Sequence, residues 1–548
     1  MFRPNDDHRQ GELFSDFQRF NSVVAKRLKN SWAMVFYEQV FCFIREELFA
    51  PLYSLEWGRP NFPVNILIGL EIIKHLFDYT DQELLDQYYF NYQVQYALGI
   101  RNIGEVYLGE RTLYNFRERV VRYSKEYPDK EDLPFQQFEI LSQNFLGVAG
   151  LKTDELRMDS TLISPNIKKA GRLSLAHDVL AQAVRNIPIA YRSDNLNKVL
   201  EDSFKNKLLY QTRNSQLDSR FQTVLDLMSE IYTLAQTNKD IADLEEVKIL
   251  LRFLNEQTDY DETNGQFKAK ASKEVNSDSL QSAYDTDATY RDKAGKKASG
   301  YTATFTETCT DENIVQIIVD YTVEPNNKSD VEIIDNRMDI IKDTTGASDI
   351  YVDGGYYGEN VINKAKSDGI NINLHYTDMT GKDVPEGQLP VHHFTFNEKM
   401  EMEQCPGEQI PTSSKYNSKT KATTSHFPKE VCNNCPYRSN CPLKEQKKDM
   451  VVKISKKSIL ASQVRETVND PHINRENTSK RAAIEGTNSA IKGCQGAKRL
   501  RVRGKIKCAI QIGFKVIGHN FKQICRVLTN QIKKPKSKAK GLLCPNPS

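Results

Sequence analysis

The sequence predicts an α/β protein: a mixed sheet flanked by helices, with an all-α segment before it, a helical insertion and a Cys-rich insertion. Three observations carry that prediction. Residues 1–130 read as helical, whereas 155–163 and 300–323 read as strands. Helix and strand patterns then alternate from 329 to 376, the order of a sheet with crossover helices. Residues 165–280 return to a helical period between the first strand and the next.

The chain has 548 residues, enough for three or four structural units. A 39% hydrophobic and 9% aromatic composition supports real cores and argues against global disorder. No run approaches about 18 uninterrupted apolar residues. The strongest, Val64 to Phe77, is broken by Glu71, Lys74 and His75, which excludes a membrane-spanning helix. The opening MFRPNDDHRQGE lacks the apolar stretch of a secretory signal. Ten cysteines in so long a chain do not make a disulfide framework. The expectation is a cytoplasmic protein with no membrane partner.

In chain order, Thr80-Asp81-Gln82-Glu83 has the form of a capping box. A short helix begins near Arg111, with Leu113, Phe116 and Val120 on one face. Two short helices with a turn between them permit a helix-turn-helix reader; a plain helical packing domain is the other reading. Glu155 to Ile163 alternates as a strand, and Phe221, Val224, Leu225, Met228, Ile231 and Tyr232 form the core stripe of an inserted helix. Strands follow at 300–308 and 314–323, a helix at 329–343, a strand ending in Asp353 before Gly354-Gly355, a helix at 359–367 and a strand at 372–376. Residues 378–450 lose periodicity, and 475–530 are helical. The expected organisation is a helical segment (1–150), an α/β core (151–164, 285–377 and 451–530), a helical insertion (165–284), a Cys-rich insertion (378–450) and a basic tail (531–548).

Charge is distributed unevenly. The whole chain is +3, but Gly486 to Ser548 holds 15 Lys or Arg and no Asp or Glu, so the rest carries about −12. Lys498, Arg499, Arg501, Arg503, Lys505 and Lys507 form the densest block and suit a nucleic-acid backbone. The tail beyond 533 reads equally as a solvated basic end.

Asp159 lies mid-strand, Asp353 at a strand end and Glu485 in a helix. An ionised carboxylate in a strand core is costly unless it is paired or binds a cation. Three converging carboxylates would repel one another, and two Mg²⁺ ions would resolve this while clamping the oxygens of an in-line phosphoryl displacement. Arg481, Glu485 and Lys492 fall within about 40° of one helix face, so a ligand would be flanked by two phosphate-binding cations. The alternative is a surface helix with an ordinary ion pair.

Cys405, Cys432, Cys435 and Cys441 follow C-x26-C-x2-C-x5-C. Four thiolates could close a structural Zn²⁺ site, with His426 as a spare ligand; reduced thiols in a loop-rich insertion are the other reading. There is no G-x4-G-K-[ST], H-E-x-x-H or G-x-S-x-G motif.

Several local contexts, in order, resemble bacterial insertion-sequence transposases of the DDE class. They are Arg157-Met158-Asp159-Ser160, Asp285 to Lys297, Val352-Asp353-Gly354-Gly355, Arg481-x3-Glu485-x6-Lys492, the Arg-x-Arg-Gly segment at 501–504, Phe62-Pro63 to Leu98, and Thr112 to Arg117. The similarity is greatest to the branch with an InsH-like N-terminal domain, the IS-eleven-eighty-two type of the IS-four/five superfamily. The resemblance implies an RNase H-like core and Asp159, Asp353 and Glu485 as ligands of two Mg²⁺ or Mn²⁺ ions. It further implies cleavage at element ends and joining of the 3′-OH to target DNA by a homodimer or larger assembly. It makes the helix holding Thr112 and Arg117 a reader of terminal inverted repeats in double-stranded DNA. The related pattern often has Tyr three residues before the Arg; Thr478 stands there, so no aromatic is present to stack a flipped base. A catalytically silent DNA-binding descendant and an RNase H-like nuclease without strand transfer are the alternatives.

Overall fold

The computed structural model describes residues 1–6, 15–130, 132–168, 170–293, 295–379 and 387–529. The basic tail at 531–548 lies outside the described residues. The central sheet contains β1 (Glu155–Ile163), β2 (Lys296–Thr308), β3 (Ile318–Pro325), β4 (Asp349–Val352) and β5 (Asn373–Tyr376), in the spatial order β3-β2-β1-β4-β5. The β3/β2 and β2/β1 pairs are antiparallel; β1/β4 and β4/β5 are parallel. A short strand, Thr289–Lys293, extends β2 at its start.

The N-terminal helices include α1 (Val64–Phe77), α2 (Asp81–Phe90), α3 (Glu110–Glu126) and α4 (Leu133–Ala149). Every residue of α1 from Val64 to Leu76 is buried, as befits a helix apolar all round. Its three polar interruptions are satisfied internally. Arg117 Nε donates to Glu71 Oε1 at 2.7 Å, Lys74 Nζ donates to Asp81 Oδ1 at 2.6 Å, and His75 lies 3.8 Å from Glu71. The Thr80–Glu83 capping box forms in full at the start of α2. In α3, Leu113, Phe116 and Val120 are buried, as their spacing predicts, but the helix is longer than expected. Residues 98–109 separate it from the helix Tyr92–Ala97, a longer connection than the tight turn of a helix-turn-helix.

Beyond β3 lie α5 (Asp330–Thr345), α6 (Pro471–Ala482), α7 (Ile484–Gly493) and α8 (Lys505–Leu528). Helix α8 packs on α1, α4 and β3. Buried Asn520 joins it to the sheet, donating to the Ile318 carbonyl at 2.7 Å and accepting from the Ile318 amide at 2.9 Å. One apolar core therefore runs from the N-terminal helices through the sheet to α8. The inserted helices Arg172–Asn186, Leu217–Thr237 and Glu245–Gln257 have their own core, which buries Phe221, Val224, Leu225, Met228 and Ile231.

Residues 378–450 correct the sequence reading. An antiparallel sheet stands there, ordered Ser413–Asn417, Ala422–Phe427, Met450–Ser455, Leu443–Glu445, over a small third core. Its strands are too short, and their edges too polar, to show a clear alternation. Among the described residues no helix is long and apolar enough to cross a membrane.

Candidate active site

Alternate residues of a strand share one face, and on β1 that face carries Glu155, Arg157, Asp159 and Thr161. All four meet α6 and α7. Lys480 Nζ donates to Glu155 Oε1 at 2.5 Å, and Arg157 donates to the Lys480 carbonyl at 3.1 Å. Arg481 NH2 lies 3.0 Å from Asp159 Oδ1, and Lys492 Nζ donates to Thr161 Oγ1 at 3.0 Å. From β2, Glu307 is buried between Arg157 (2.6 Å) and the Thr487 hydroxyl (2.7 Å). The two helices are thereby anchored across the sheet by side chains that begin hundreds of residues away.

Asp353 follows β4. The parallel register runs as far as Arg157 against Tyr351, and just beyond it Arg481 NH2 reaches both Asp159 and Asp353. Asp353 caps a 3-10 turn, its Oδ1 accepting from the Gly355 amide at 2.8 Å. Arg481 gathers the three acids predicted from sequence: NH2 also lies 3.5 Å from Asp353 Oδ2, and NH1 lies 3.7 Å from Glu485 Oε1. Ala483 separates α6 from α7, yet Arg481 and Lys492 still reach the same face of β1. Glu485 sits at the rim, its side chain 67% exposed.

The electrostatics follow from this crowding. Burial pushes the Asp159 carboxyl up, Arg481 draws it back, and Asp353 raises it again. Burial also raises Asp353, against the Gly355 amide and Arg481, with Asp330 and Asp378 adding to the rise. Asp330, the first residue of α5, was not legible as a site residue. The Ser160 hydroxyl donates to its Oδ1 at 2.8 Å. Asp378 Oδ1 accepts from the Gly354 amide at 2.6 Å.

Among the described residues, no three Asp, Glu, His or Cys side chains stand close enough to hold an ion as they are. At the acidic site the guanidinium of Arg481 stands between the carboxylates. The donor set nevertheless fits divalent cations: hard oxygens, mutually repelling and partly desolvated. Gly355 keeps space there, since a Cβ would come within 2.9 Å of Asp353 Oδ1 and 3.3 Å of Asp330 Oδ2.

The expected DNA-contacting residues are dispersed. Lys498 and Arg499 are exposed. Arg501 donates to the Tyr79 carbonyl at 2.7 Å, Arg503 to the Asn166 carbonyl at 2.8 Å, and Lys505 pairs with Glu324 at 2.7 Å. Arg117 is held by Glu71 and Asp81, so its guanidinium organises the N-terminal core. Thr112 lines a separate groove with Asn115 and Arg119. A cavity of 770 Å³ brings Tyr114, Arg122 and Lys125 of α3 together with Arg501 and Lys507.

In the third core, Cys405, Cys432 and Cys441 pack together, and the Cys435 and Cys405 sulfurs flank Gly407. Burial pushes the Cys441 thiol up to about 12, and the three neighbouring thiols add to it. His426 is spent on Asp449, at 2.7 Å.

Residues 404–525 match the family model described as Transposase DDE domain, and residues 27–119 match the one described as Transposase domain (DUF772). No curated protein and no solved structure matches the chain. The first segment contains α6, α7 and most of α8, with Arg481 and Glu485; the second contains α1, α2 and the start of α3. Both matches are to transposase domains, one of them the DDE domain, and each covers less than a quarter of the chain.

Proposed function

We propose that this protein is the transposase of an insertion sequence. It binds double-stranded DNA at terminal inverted repeats, cleaves the element ends and joins the freed 3′-OH to target DNA. The observation that carries the reading is the convergence of Asp159, Asp353 and Glu485 on Arg481. The sheet order, with its antiparallel β3-β2-β1 and parallel β1-β4-β5, supports an RNase H-like core.

Asp159, Asp353 and Glu485 are the residues that would hold two Mg²⁺ or Mn²⁺ ions. Such ions, when bound, supply Lewis acidity toward water, the 3′-OH and the phosphate being displaced. The chain's own residues do the rest. β1 fixes Asp159, the turn after β4 fixes Asp353 and α7 carries Glu485, while Arg481 on α6 and Lys492 on α7, both set against β1, are the two phosphate ligands. Lys498 and Arg499, with Arg501, Arg503, Lys505 and Lys507, form a backbone clamp. The cavity shared by α3 and Lys507 supports one continuous DNA path from the N-terminal helices to that clamp. Cys405, Cys432, Cys435 and Cys441 would hold a structural zinc beside the small insertion sheet, and the active assembly is a homodimer or larger.

The test is strand cleavage and joining on labelled DNA from both flanks of the gene, with Mg²⁺ or Mn²⁺, wild type beside Glu485→Gln. The expected result is metal-dependent nicks at the element ends and joined products, both lost in the variant while DNA binding persists. Cleavage without joining would establish a nuclease instead. Specific binding with neither would establish a silent descendant.

A further inference from the structure

One buried side chain beside the acids is half satisfied. Asn488, on α7 one turn beyond Glu485, is 7% exposed. Its amide nitrogen donates to Asp159 Oδ2 at 2.9 Å, while its side-chain oxygen is buried without a hydrogen-bond partner. A buried acceptor left unpaired is costly. Flipping the amide would not relieve this, because it would set the oxygen against the Asp159 carboxylate. The nitrogen is therefore pinned by Asp159, and the oxygen is left as the unused acceptor of the same amide. Asp159 Oδ1 meanwhile faces Arg481, so the two oxygens of one carboxylate are divided between a cation and this amide. An amide oxygen is a hard neutral donor, of the kind that accompanies carboxylates around divalent cations.

We propose that Asn488 is a further oxygen ligand of the divalent cation held by Asp159, reaching it directly or through one of its waters. The inference rests on the metal-dependent reading of the site and adds a neutral donor to the three acids. Asn488 thus has two linked tasks: its nitrogen orients Asp159, and its oxygen, left without a partner, would serve the ion.

The experiment is Mn²⁺ titration of the full-length, DNA-free protein, followed by the electron paramagnetic resonance signal of free Mn²⁺ and by thermal unfolding. Wild type is compared with Asn488→Leu, Asn488→Asp and Glu485→Gln. Asn488→Leu should weaken Mn²⁺ binding about tenfold, in the range of losses seen when groups around a metal site are removed. Asn488→Asp keeps an oxygen but loses the donor to Asp159. It should unfold at lower temperature without metal, regain stability with Mn²⁺ and bind Mn²⁺ at least as tightly as wild type. If Asn488 served only to orient Asp159, Asn488→Asp would weaken binding as Asn488→Leu does, and the proposal would fall. Unchanged Mn²⁺ affinity in Asn488→Leu would overturn it equally. Should Asn488→Leu not fold, the Asn488→Asp arm decides alone. Absence of saturable Mn²⁺ binding in wild type would overturn the metal reading itself, and this proposal with it.

Discussion

Arg481 and Asp159 are 322 residues apart in the chain and 3.0 Å apart in the fold. The guanidinium that joins them also touches Asp353 and Glu485, so one cation stands against all three acids and leaves the site net negative. Burial works against the charge on Arg481, but Asp159, Asp353 and Glu485 together outweigh it and its pKa is raised.

That role gives Arg481→Met a metal-dependent phenotype. Without divalent ions the substitution leaves Asp159 and Asp353 facing each other, and stability should fall by about 3 kcal/mol. Saturating Mg²⁺ should restore most of it. Urea denaturation with and without Mg²⁺ checks this; an equal loss in both conditions would assign Arg481 to packing alone.

Glu307 is 2% exposed and is held by Arg157 and Thr487. Arg157→Ala strands that carboxylate and removes the donor to the Lys480 carbonyl. The expected cost is about 3–5 kcal/mol, measured by denaturant unfolding, because a buried charge loses its partner.

Gly355 tests the space between carboxylates without touching a charge. In Gly355→Ala the added carbon meets Asp353 Oδ1 at 2.9 Å, with Asp330 Oδ2 at 3.3 Å. Displacing these groups by a fraction of an ångström should slow cleavage by about a hundredfold, with DNA affinity retained. Single-turnover cleavage beside a binding titration separates the two; full cleavage activity would show that the gap has no function.

The cysteine cluster makes a stoichiometric prediction. Protein expressed with zinc should carry one Zn²⁺ per chain by atomic absorption, and Cys432→Ser should release it. Wild-type protein free of zinc would retire the site.

Lys515 gives stability a pH dependence. It is buried, bonded to the Gln495 carbonyl and 3.4 Å from Asp78, and burial brings its pKa down from 10.5 to about 8. Below pH 8 both folded and unfolded chains hold the proton, and the buried charge is a cost. Between about 8 and 10.5 the unfolded chain binds more protons, so this group's contribution to stability rises with pH. Lys515→Met should abolish that part of the rise in denaturation curves taken across the window.

Much of the frame was readable because it depends on local rules. The capping box at Thr80, the apolar stripe of α3 and the core stripe of the insertion helix follow from periodicity and side-chain geometry. Asp159 is conspicuous in the sequence because a carboxylate mid-strand needs a partner, and Asp353 because it precedes two glycines. The short strands at 413–455 were not readable, since three to six residues carry too little pattern. Nor was the pinning of Arg117, which depends on Glu71 and Asp81 from other helices.

The amino-acid sequence therefore settles the order of elements, the apolar faces and the residue types that could do metal-ion chemistry. Only the tertiary structure decides who meets whom. β1 and β4 pair in parallel, Arg481 NH2 reaches both Asp159 and Asp353, and docking of α6 and α7 across β1 brings in Arg481, Glu485 and Asn488. It also recruits Asp330, which in sequence is only an acid at a helix start. The physical reason is range: periodicity and capping act within a few residues, whereas a carboxylate's burial, its neighbours and its cation are set by strand pairing and packing between segments more than a hundred residues apart.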